Sequence, residues 1–167
     1  MIVSGKAVLF GDNINTDIII PSKYLTSLDP NELAKHAMES IDPSFPNRAK
    51  EGVIIVAGRN FGCGSSREQA PLALKYAGVN CIIAESFARI FFRNAINIGL
   101  PILEAAGTSG EIDEGDVLKI ILEEGKIIDE TKGRVFSASR LPGFILEIIR
   151  DGGLIEHLVK ALRSDRS

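Results

Sequence analysis

The sequence has no tryptophan, only two cysteines, two methionines and two histidines, and aromatic residues make up just 6% of it. Two cysteines, Cys63 and Cys81, cannot build a disulfide framework, so a reducing, cytoplasmic compartment is expected. His36 and His157 each stand alone on a helical segment, so surface or core roles are expected of them and no metal site. No apolar run approaches the roughly 18 residues of a membrane-spanning helix. Met1–Lys6 passes straight into strand-like sequence, without a basic segment and apolar core, so no secretory leader is expected. Neither charge dominates: the net charge is −3, which does not favour a nucleic-acid groove.

What is present is an α/β composition. The 167 residues are 45% apolar and 25% charged, and Ile, Leu, Val and Ala dominate. A single domain over residues 1–167 is expected, with a charged tail, about 163–167, that frays. Residues 2–9 read as a strand. A helix is expected from Asp29-Pro30, the usual cap and first position, to about Ser40. Residues 41–52, with two prolines and a glycine, read as a loop. Val53–Ala57 and Cys81–Ala84 are continuous apolar runs of the kind buried on both faces of a parallel sheet. Helices are expected from Ser65 or Ser66 to Lys75 and from Ser86 to Ile96, then a short strand at 101–103. The remainder is more antiparallel in character: a hairpin over 116–129, a strand at 134–137, and helices over 141–150 and 154–163.

The densest signal is Asn60-Phe61-Gly62-Cys63-Gly64-Ser65-Ser66-Arg67-Glu68, between a buried strand and a helix. Ligands of open α/β sheets bind in that crevice. Gly62 and Gly64 permit close backbone approach. A serine at the helix start would sit beside unpaired N–H groups that attract carboxylate or phosphate, and Arg67 adds a bidentate partner. A plain strand-to-helix turn needs one capping serine; it does not need two serines and an arginine. The dinucleotide fingerprint fails at Arg67, the phosphate-loop Gly-Lys-Ser/Thr never occurs, and the nucleophile elbow fails at Glu68. The residues by themselves therefore reach an anion site and no hydrolase.

Gly62-Cys63-Gly64-Ser65-Ser66-Arg67-Glu68 resembles the Gly-x-Gly-Ser-Ser-Arg-Glu signature of the aconitase superfamily's swivelling domain. Gly11–Asp17 resembles its Asn-Thr-Asp segment, and Ser86–Asn94 resembles its Ser-Phe-Ala-Arg-Ile stretch. Order and spacing agree along nearly the whole chain. A free-standing chain of this length is similar to the small subunits of the isopropylmalate dehydratase and homoaconitase branch. The resemblance implies a swivelling β/β/α fold, with a mixed, mostly parallel sheet flanked by helices. It implies a hydro-lyase that moves a hydroxyl one carbon along a malate-type acid, and that is inactive without a large subunit. No cofactor is expected on this chain: the [4Fe–4S] cluster would belong to the partner, since two cysteines are too few for it.

By the same resemblance Ser65 matches the catalytic base, Asp17 an active-site acid, and Ser66 and Arg67 substrate-carboxylate contacts. An Asx-turn after Asn15-Thr16 is the structural alternative for Asp17. Pro21–Ser27 is similar to the substrate-discriminating loop, so Tyr24, Leu25 and Thr26 would meet the variable substituent. Relatives that take a further carboxylate have an arginine after Tyr-Leu; Thr26 stands there and favours an apolar branch such as isopropyl. The methyl of citramalate-type acids is also apolar, and Lys23 could supply a charge. Loop 22–28 shows no obvious packing partner and is expected to be mobile. Arg89 and Arg93 could contact the large subunit or substrate, or form a solvated face. Cys63 reads as a small filler and Cys81 as core. Readings from other classes are a non-catalytic anion-binding module and a purely structural subunit.

Overall fold

The computed structural model describes residues 1–166. Its strands are β1 (Ile2–Leu9), β2 (Val53–Ala57), β3 (Val79–Ala84), β4 (Ile102–Glu104), β5 (Val117–Ile121), β6 (Lys126–Asp129) and β7 (Arg134–Ser137). Its helices are α1 (Thr16–Ile19), α2 (Pro30–Ala34), α3 (Phe45–Ala49), α4 (Gln69–Ala77), α5 (Arg89–Asn97), α6 (Gly143–Arg150) and α7 (Leu154–Ser164). The strands form one sheet in the order β4-β3-β2-β1-β5-β6-β7.

The sheet is mixed. β1, β2, β3 and β4 run parallel to their neighbours, while β1–β5, β5–β6 and β6–β7 pair antiparallel. The parallel and antiparallel pairings are thus equal in number, a more even split than the mostly parallel sheet expected. The apolar runs behave as their composition dictates: every residue of β2 is buried, and all of β3 except Asn80. β6 alternates instead, with Ile127 and Asp129 inward.

Several boundaries differ from expectation. α2 has its Asp29 cap and Pro30, but ends at Ala34; hydrogen-bonded turns follow, and Met38 has φ +59°. The stretch read as a loop contains α3, whose Pro46 sits in the first turn, where a missing N–H costs nothing. α4 begins at Gln69, not at Ser65 or Ser66, and α5 begins at Arg89 without a Ser86 cap. Arg163 and Ser164, expected to fray, lie within α7; Ser167 lies outside the described residues.

Parallel pairing decides where the site lies. β1, β2 and β3 point the same way, with Leu9 beside Val56 and Ala57 beside Ala84. The segments that leave their C-terminal ends therefore emerge side by side, although far apart in sequence.

Candidate active site

Those three segments are the three motifs singled out in the sequence, and backbone hydrogen bonds lace them together. Asn13 N–H donates to the Arg59 carbonyl (2.8 Å), and Gly62 N–H to that of Ile14 (2.7 Å). Thr16 N–H donates to the Cys63 carbonyl (2.9 Å). Phe61 N–H and carbonyl pair with Ser86 and Ala88 across the third segment. Side chains reinforce the lacing. Asp12 Oδ1 accepts from Arg59 N–H (2.7 Å), and Ser86 Oγ from Asn60 N–H (2.9 Å). That contact explains why Ser86 caps no helix: its hydroxyl serves a neighbouring loop.

The glycine positions are set by contact and by dihedral angle. Gly62 has φ +83°, and a Cβ there would lie 2.2 Å from the Phe91 ring. Gly64 has φ +92° with room around it, so its requirement is conformational. Beneath the loop, Phe61 meets Phe91 edge-on at 5.3 Å and Phe87 at 6.0 Å, and Phe87 meets Phe92 at 6.0 Å. Four of the eight phenylalanines are thus concentrated under one loop.

Thr16 was given no role in the sequence, and the structure gives it one. It is buried, and its hydroxyl donates to the Ser65 carbonyl at 2.8 Å. Its position inside the Asn-Thr-Asp segment was the available signal. Asn15 Oδ1 accepts from Ile18 N–H and caps α1, which presents Asp17 next in line.

Asp17 and Arg67 are brought together. Arg67 Nη1 donates to Asp17 Oδ1 (3.1 Å) and to the Ile20 carbonyl (3.2 Å). The Arg67 hydrogen bond, seconded by Ser22 N–H, holds the Asp17 carboxyl below its ordinary value. Ser66 and Arg67 line a cavity of about 200 Å³ together with Thr16, Arg89, Phe91 and Asn94. Ser65 is exposed, next to Ser66 and pinned through its carbonyl. The helix N-terminus expected beside it starts four residues later, at Gln69, and the Arg67 guanidinium is turned to Asp17 and the Ile20 carbonyl. Of the two arginines of α5, Arg89 reaches the cavity, while Arg93 is exposed and does not line it.

The 22–28 loop is not without packing partners. Ser22–Tyr24 forms a 3-10 turn, and Tyr24 and Leu25 pack on the core. Thr26 is exposed. Lys23 Nζ lies 5.1 Å from the Tyr24 ring centre, against its own neighbour. No group of three or more His, Cys, Asp or Glu among the described residues is placed to hold a metal ion, and Cys81 is fully buried, its thiol pushed far up by desolvation.

The aconitase C-terminal domain family matches residues 10–106, a span that contains all three laced segments. The chain belongs to that family. Within it, the chain is 55% identical over 161 residues to a 3-isopropylmalate dehydratase small subunit of Caldanaerobacter subterraneus, covering 96% of this chain and 100% of the relative. It is 52% identical to the isopropylmalate/citramalate isomerase small subunit of Methanocaldococcus jannaschii, covering 96% of each. The solved structure of 3-isopropylmalate dehydratase from M. jannaschii superposes with a TM-score of 0.92 at 47% identity over the whole of both chains. The aconitase-type swivelling fold, with its mixed sheet flanked by helices, is therefore the fold of this chain.

Proposed function

We propose that the chain is the small subunit of a 3-isopropylmalate dehydratase, which interconverts 2- and 3-isopropylmalate on the way to leucine. The observation that carries this reading is the lacing of residues 11–17 to the 60–67 loop, with Arg67 joined to Asp17 beside a cavity. Ser66 and Arg67 line that cavity, Asp17 holds the Arg67 guanidinium, and Ser65 stands exposed next in the loop, a set that suits a dicarboxylic hydroxy acid. The names of the relatives agree with it.

In this reading Ser65, as alkoxide, takes the proton from the carbon next to a carboxylate. The C–H pair forms the double bond as the hydroxyl leaves the neighbouring carbon; addition of water in the other sense completes the exchange. Arg67 and Ser66 hold a substrate carboxylate, and Arg67's charge favours the alkoxide. Asp17 fixes the Arg67 guanidinium and orients groups at the opening. Tyr24, Leu25 and Thr26 meet the branch. The residues of this chain do not fit a [4Fe–4S] cluster, because Cys63 and Cys81 lie on separate elements and Cys81 is sealed in β3. We assign the cluster to a large subunit.

A citramalate-type substrate is the second reading: the M. jannaschii relative carries that name as well, and a neutral Thr26 suits methyl as it suits isopropyl. The test is co-expression with the large subunit, anaerobic cluster assembly, and absorbance of the unsaturated acids. Isopropylmalate, citramalate and homocitrate-series acids are compared. Ser65→Ala is expected to lower kcat by about 100-fold or more. Preference for a tricarboxylic acid overturns the Thr26 argument. No turnover by a well-formed, cluster-loaded complex favours a non-catalytic anion-binding module.

A further inference from the structure

The loop that would read the substrate's branch is held from behind by two residues of the turns after α2. The His36 ring lies flat on Tyr24, with centres 3.7 Å apart and planes at 5°. His36 Nδ1 is 2.7 Å from Glu39 Oε2. The negative charge of Glu39 also holds the Tyr24 phenol above its ordinary value. Burial pushes Glu39 itself up, but the contacts from Tyr24 and His36 outweigh it and leave it lowered. Both side chains are about 30% exposed or less, so the contact is only partly screened. The turns that carry them are anchored: Met38 N–H donates to the Ile19 carbonyl at 2.8 Å, and Ser40 Oγ to that of Ile18 at 3.3 Å. At its other end the loop is tied by Ser22 N–H to Asp17 Oδ1 at 3.2 Å.

We propose that His36 and Glu39 are positioning residues, which fix Tyr24 and through it the Leu25-Thr26 tip against the branch of the substrate. This rests on the reading that Tyr24, Leu25 and Thr26 meet the substrate. The chemistry fits the task. The stack restrains the tilt of Tyr24, and the Glu39 carboxylate fixes the His36 ring that stacks on it, so the tip offers one shape to an apolar branch. Neither residue touches the 200 Å³ cavity or the Ser65 loop.

Two readouts test it. Lys23 is exposed beside the clamp, so tryptic cleavage after Lys23 in the full chain reports whether the loop is held, and cleavage elsewhere reports the fold. His36→Ala is expected to accelerate cleavage after Lys23 about three- to ten-fold, the range of one aromatic pair. His36→Phe, which keeps the stack, should remain near the parent rate. In the reconstituted complex His36→Ala and Glu39→Ala should raise KM for isopropylmalate more than they lower kcat, and narrow its preference over citramalate. An unchanged cleavage rate in His36→Ala overturns the clamp. Faster cleavage with unchanged KM and preference overturns its part in substrate reading, while Ser65-dependent turnover still stands. Turnover that does not depend on Ser65 overturns the functional reading, and this inference with it.

Discussion

The two halves of the sheet obey different rules. On one side of β1, strands β2 to β4 are parallel and almost wholly buried, and β2 and β3 lead, with β1, into the loops that form the site. On the other side, β5 to β7 are antiparallel and expose part of each strand; β7 is an edge. Residues 10–106, which match the family, hold β2, β3 and β4 and leave out β5, β6 and β7. The contrast teaches where constraint accumulates. A parallel sheet brings all its C-terminal ends to one edge, so every strand there fixes both core and chemistry. An antiparallel extension returns by short turns, and its strands answer only to packing.

Substitutions on either side of β1 test this contrast. Ile55→Ala, in the centre of β2 and fully buried, should cost about 2–5 kcal/mol in denaturant unfolding. A loss under 1 kcal/mol would remove the distinction between the halves. Gly62→Ala should cost about 1–3 kcal/mol, because the new methyl strikes Phe91 and φ is positive. It should also lower activity of the reconstituted complex; full activity would show that the loop tolerates a shift.

The antiparallel half holds an acid pair. Asp129 is fully buried; its Oδ1 accepts from Thr131 and Lys132 N–H groups, while its Oδ2 accepts no hydrogen bond. Desolvation and the facing Asp116 raise its carboxyl above the ordinary range, whereas Asp113 N–H and Lys132 keep Asp116 low. Of the two carboxyls, Asp129 is therefore the one that keeps its proton to higher pH. A folded value raised above the unfolded one favours folding at acid pH, and that gain fades as pH rises through the folded value. Asp129→Asn keeps the acceptor and supplies a permanent N–H donor. Its melting temperature should equal or exceed the parent's, with the difference growing as pH rises above about 4. A deficit that grows as pH rises would refute the raised value of Asp129. The smallest effect belongs to the edge: Val135→Ala, more than half exposed in β7, should stay within about 0.5 kcal/mol.

Legibility followed the same division of forces. β2 and β3 could be read because uninterrupted apolar runs leave a strand no other place to go. β1 and the 116–137 strands could be read from alternation and turn residues. The starts of α4 and α5 could not. Ser65, Ser66 and Ser86 look like caps, but Ser65 gives its carbonyl to Thr16, Arg67 reaches back to Asp17 and Ile20, and Ser86 serves Asn60. Long-range partners took the groups that local rules reserve for helix starts. α3 was hidden by Pro46, which sits where a first turn accepts it, and by Pro43 just before the cap. Of the candidate site, the motif order announced which residues would gather; which atoms meet, and the bracing of Tyr24 by His36 and Glu39, depended on segments that no local pattern connects.

Cysteine is scarce in this chain, and its two copies lie in opposite surroundings. Cys81 is sealed inside β3, while Cys63 is half-buried in the loop, two residues ahead of Ser65, and engages Thr16 only through its carbonyl. The native sequence thus carries one partly exposed cysteine, in the loop that holds Ser65. A maleimide dye or spin label placed there would report arrival of a large subunit and movement of the serine loop in real time, without an engineered residue anywhere in the molecule.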